Sequence, residues 1–133
     1  MPKGQEIYDR AIALLNERDA NGSYHIDAGD FTTNAVALIN ILAFRLKYDQ
    51  CIVTGTTVNE NNWANLSIKT LNDNLSLDVK LAMGVLPYGL AALLIMEEDG
   101  ERSKYFYSLF KEAEEQLLFF HKRGKRHPVS NVY

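Results

Sequence analysis

The chain has 133 residues, 47% of them hydrophobic, and a net charge of −3 at pH 7. That length and composition fit one domain around one core, and the charge argues against a dedicated nucleic-acid binder, which carries a strongly basic face. The single cysteine, Cys51, excludes an intrachain disulfide and a multi-cysteine zinc site.

Gln5 to Arg18 reads as a first helix, with Ile7, Ala11, Leu14 and Leu15 at helical spacing and Glu6 and Asp9 near the start, where the helix dipole favours acids. Met1 to Gly4 leads straight into this amphipathic segment without a signal peptide, so we expect synthesis and assembly in the cytoplasm. Asp19 to Asp30 is a loop marked by Asn21-Gly22. His25, Asp27 and Asp30 share it, but solvated carboxylates near a histidine are the simpler reading than a metal site. Asp30 suits the N-cap of a second helix, Phe31 to Tyr48. Its core stripe is Phe31, Ala35, Leu38, Leu42 and Leu46. Val36, Ile39, Ile41 and Phe44 widen it beyond one face, which suggests two neighbours, one of them a candidate second subunit.

Residues 50–74 change character. Cys51 to Thr54 and Thr56 to Val58 are β-branched runs around Gly55, and Trp63 to Thr70 alternates loosely. We read an extended, β-like arm that pairs with a neighbouring subunit, since an isolated hairpin is marginal alone. Trp63 is its natural anchor, because aromatic side chains dominate contact energetics. A surface loop lying on the bundle is the plainer account.

The central stretch is Leu75 to Asp99, nearly all apolar or small from Val79 to Met96. A helix that is apolar all round must be covered on most sides, so the chain is expected to wrap around it. Asp78, Lys80 and Pro87 interrupt it too often for a membrane span. Pro87 should kink the helix or restart it, and Gly84, Gly89, Ala91 and Ala92 leave room for another backbone. We expect Leu90, Leu93 and Leu94 to be buried with Leu38, Phe106 and Phe110. Glu97 to Gly100 forms an acidic turn. A last helix, Glu101 to Lys122, follows, with Phe106, Leu109, Phe110, Ala113, Leu117 and Phe120 inward.

Gly124 suits a helix C-cap and Pro128 opposes continuation, so residues 124–133 are expected to form an extended tail beyond a helical domain at 1–123. Lys122, Arg123, Lys125 and Arg126 cluster at this end. They complement the helix dipole, or meet phosphate or an acidic partner surface. Val129, Val132 and Tyr133 could order only by adding to another surface. The fold expected is all-α, a small bundle of about four helices with the arm between the second and third.

Catalytic signatures are missing from the sequence. There is no GxxxxGK loop, dinucleotide fingerprint or HExxH, and His25, His121 and His127 lack ligand spacing on a helix. These absences weaken the case for an enzyme, a metal site or a cofactor without excluding one.

Three stretches together resemble one family: GQEIYDRAIALLNE at the start, TLNDNLSLDVKLAMGVLPYGLAALLIMEEDGERSKYFYSLFKEAEEQL in the second half, and HPVSNVY at the end. The pattern of a short loop, LPYGLAALL, an acidic turn and an aromatic-rich helix is similar to that of head–tail connector (adaptor) proteins of tailed bacteriophages and prophages, mainly of Gram-positive hosts. Residues 20–70 match less clearly, and their arm with Trp63 is longer than in the simplest members. The resemblance implies a structural virion protein of the neck, a mostly helical subunit assembling as a homo-oligomeric ring, commonly of twelve copies. Such a ring sits beneath the portal protein, meets a further neck or tail-terminator protein, and passes genome DNA without reading its sequence. It implies no catalytic residues and no membrane. The alternative is a small helical DNA-binding or packaging and regulatory protein that uses Lys122 to Arg126 on phosphates. A third class is a helical module associated with a packaging enzyme.

Overall fold

The computed structural model describes residues 2–17, 28–55 and 66–130. Among them are six helices and no strand: α1 (Gly4–Glu17), α2 (Ala28–Arg45), α3 (Lys47–Thr54), α4 (Val79–Gly84), α5 (Leu86–Ile95) and α6 (Gly100–Ser130). The all-α class expected from sequence therefore holds, with six helices among the described residues in place of about four.

The central stretch restarts as its proline dictates. α4 begins at Asp78, whose carboxylate accepts the amide of Lys80 as an N-cap, and ends at Val85 (φ −120°, ψ −52°). α5 then starts with Pro87 in its first turn, where a missing N–H costs nothing. Every α5 residue except Tyr88 and Leu93 is buried. Around α5 pack α6, α1 and α2, supplying Phe106 and Phe110, then Ile7, Ala11 and Leu15, then Ala35, Ile39 and Leu42. Side chains of α6 and α2 press close at Gly89. A Cβ there would lie 2.9 Å from Cδ1 of Phe110 and 3.2 Å from Cδ2 of Leu42. Ser103 Oγ donates to the Ala92 carbonyl (2.8 Å), tying α6 to α5, and Asp99 caps α6 by accepting the Arg102 amide (3.1 Å).

The expected second helix differs in three ways. Asp30 lies inside α2 and not before it. The helix breaks at Leu46, and α3 takes up residues 51–54, which were expected to be extended. The helical cost of Ile52, Val53 and Thr54 is only tenths of a kcal/mol each. Packing of Val53 on the core offsets it, and Gly55 ends the helix at φ 75°. Along the stripe, Ala35, Leu42 and Leu46 are buried as expected, but Leu38 is only half-buried while Ile39 and Ala43 are fully covered, and Ile41 and Phe44 are exposed.

The described part of the arm, residues 66–74, is strapped to its own body. The Asn40 side chain pairs with the backbone of Ile68, donating to its carbonyl (2.9 Å) and accepting its amide (2.8 Å). Leu66 and Ile68 are buried, and so are Leu75 and Leu77 further along. Gln50 accepts the Asp78 amide (2.7 Å). The start of α1 closes onto the same segment: Gly4 and Gln5 donate to Asp73 and Leu71, and Leu75 donates to Pro2. Two α1 amides that no helical carbonyl could reach are satisfied this way.

At the far end α6 runs on through Gly124 to Ser130, so the extended tail expected from 124 is helical as far as 130. A glycine costs about 1 kcal/mol in a helix of otherwise good formers. Pro128 stands two residues from the helix end; it removes a last-turn bond and crowds the carbonyl of Gly124. Residues 131–133, with Val132 and Tyr133, lie outside the described residues.

Candidate interaction surfaces

The described residues hold no group of three or more His, Cys, Asp or Glu able to grip a metal ion, and no helix long and apolar enough to cross a membrane. The loop of His25, Asp27 and Asp30 falls where side chains are not described. Asp73 shows a shifted carboxyl, held below the usual carboxylate value by the backbone amides of Thr70 and Lys69 that it accepts (2.9 and 2.8 Å). That is turn chemistry at the surface, and nothing nearby offers a reacting partner.

Among the described residues the exposed apolar area includes three places. On α2 and α3, Ile41, Phe44 and Tyr48 recur at the spacing of one helix face, and each is more than half exposed. Lys47 reaches across Phe44, with Nζ 3.5 Å from the ring centroid. Beside α2 and the end of α5 lies a groove of about 560 Å³. It is lined by Ala37, Leu38, Leu93, Leu94 and Met96 together with Thr33, Asn34, Glu97 and Glu98. The third place is the far half of α6. Leu117 is the last α6 residue packed on the core, while Phe119 and Phe120, edge to face at 6.1 Å, are 57% and 69% exposed. Phe120 was expected inside. It is outside because no described element extends alongside α6 that far. Nearer the core, Glu114 meets Arg45 at 3.3 Å, and Arg45 lies over the Phe110 ring.

Of the partner-contact residues expected from sequence, Lys122, Arg123, Lys125, Arg126 and Val129 belong to α6, following Phe120 on one continuous helix. Trp63 lies outside the described residues, as do Val132 and Tyr133. The sequence reading missed the groove. Its signal was the abrupt change from apolar Met96 to Glu97 and Glu98 at the end of the most hydrophobic segment. No protein-family model, curated protein or solved structure matches the chain.

Proposed function

We propose that the protein is a head–tail connector subunit of a tailed phage or prophage. It is a non-enzymatic neck component that joins copies of itself in a ring beneath the portal, continues the DNA channel and meets the next neck or tail-terminator protein. The observation that carries this reading is the role of LPYGLAALL. The string with most of the resemblance supplies α5, the buried hub, and the acidic turn and aromatic-rich helix follow it as residues 97–99 and α6. Exposed apolar faces at three places support an assembling subunit, since such faces mark interaction sites. A net charge of −3 suits a channel wall along which DNA slides without sticking.

The test is binding to heads that carry a portal but lack their connector. The full chain should add to the portal vertex as a ring visible by electron microscopy. Protein lacking residues 128–133 should keep its helical circular dichroism yet fail to yield tailed, infectious particles. A full chain that ignores the portal and binds duplex DNA with steep salt dependence would overturn the connector reading in favour of the small regulatory protein.

A further inference from the structure

In an uninterrupted helix the amide of residue 87 would donate to the carbonyl of residue 83, four positions back. Residue 87 is a proline, so it has no amide to give, and its ring crowds that carbonyl. α5 loses nothing by this, because Pro87 lies in its first turn, but α4 is left with the Met83 carbonyl lacking its helical partner. A side chain from 73 residues away meets it: Arg10 of α1, whose Nη1 donates to the Met83 carbonyl at 3.3 Å. The rest of the break is loosely tied. Tyr88 turns its amide to the Val85 carbonyl (3.3 Å), one residue short of the helical acceptor at Gly84. Val85 departs from ideal helical angles (φ −120°, ψ −52°), and a Cβ placed on Gly84 would meet nothing within 4 Å. α4 itself has six residues, of which Leu81 and Ala82 are buried, while Val79 is 58% exposed.

We propose that the α4–α5 break is a latched hinge and that Arg10 is its latch: the guanidinium stands in for the amide that Pro87 lacks, and on its release α4 opens from the hub while α5 keeps its packing. This goes beyond the connector reading and does not depend on it. The last carbonyls of α4 form the negative end of its dipole, so a cation is the fitting donor. A guanidinium also keeps its charge at every working pH. α5 does not need the latch, because Phe106 and Phe110 from α6, with Ile39 and Leu42 from α2, close around it independently of α4. A short segment with few buried side chains beside a well-covered helix is where local opening is cheapest.

The experiment follows amide hydrogen exchange, residue by residue, in the full chain carrying Arg10→Met, Pro87→Ala or both. Methionine keeps an unbranched stem and removes every donor. Arg10→Met should speed exchange at residues 81–85 by roughly threefold to tenfold, the worth of one hydrogen bond, and leave residues 90–95 of α5 as they were. Pro87→Ala returns an amide to the Met83 carbonyl. In that background Arg10→Met should no longer change exchange at residues 81–85, a coupling that identifies the shared carbonyl and that a general packing role for Arg10 would not produce. Exchange at 81–85 unmoved by Arg10→Met, or sped equally along α5, would overturn the latch. So would an effect of Arg10→Met undiminished by Pro87→Ala. Where circular dichroism shows Pro87→Ala to be misfolded, Arg10→Lys decides instead. A cation that keeps a donor should hold residues 81–85 nearer their original rate than methionine does, and equal acceleration by the two would overturn the proposal.

Discussion

α5 and the short run 117–120 of α6 are both strongly apolar in sequence, yet α5 is buried on almost every side while Phe119 and Phe120 are exposed. The difference comes from reach and size. α5 is short and carries Gly89, Ala91 and Ala92, so α1, α2 and α6 close around it, near enough that a single added carbon at Gly89 would press on Phe110. α6 has 31 residues, about 46 Å of helix, and outruns every helix that packs on it. Hydropathy alone does not bury a residue; a neighbouring element must extend far enough to cover it.

The contrast can be broken or sharpened by substitution. Leu90→Ala removes a fully buried side chain from the hub and should cost about 2–5 kcal/mol in chemical denaturation. A midpoint left in place would mean that α5 is not the centre. Gly89→Leu should cost about 1–3 kcal/mol or more through overpacking against Phe110 and Leu42; undiminished thermal stability would show that this face has room. Asn40→Ala leaves the amide and carbonyl of Ile68 without their clasp, for about 1–3 kcal/mol, and should speed hydrogen exchange at residues 66–70 ahead of the rest. Phe120→Ala, at the exposed end, should change monomer stability by no more than about 0.5 kcal/mol. A loss as large as that of Leu90→Ala would erase the distinction between the two regions.

Much of this was readable in the residues. Pro87 announced the restart, the apolar run announced the hub, and Ile7, Ala11 and Leu15 announced the buried face of α1. The failures share a cause. Cys51 to Thr54 is β-branched, and Gly124 and Pro128 are helix breakers, but each is a local preference of about a kcal/mol or a few that packing or an uninterrupted helix outweighs. On α2 the expected Ala35, Leu42 and Leu46 are buried, and only Leu38 gives way to Ile39, because the two are equally apolar and the placement of α5 decides between them. The groove was illegible for a different reason. It joins Thr33 and Asn34 to Glu97 and Glu98, residues that no spacing rule relates.

The clasp between the first residues and the segment after the arm bears on how the chain comes to be folded during synthesis. Lys3 bridges to Asn74, about seventy residues later, and α1 owes two of its opening amide contacts to Leu71 and Asp73. The first helix leaves the ribosome with neither those carbonyls nor the α5 surface that covers Ile7, Ala11 and Leu15. An isolated helix of 14 residues is marginal in water. α5 and α6, by contrast, are neighbours in sequence and can pair as soon as both are made, at little loop-closure cost. α5 and α6 are thus placed to pair before α1 can complete its contacts with residues 71–75.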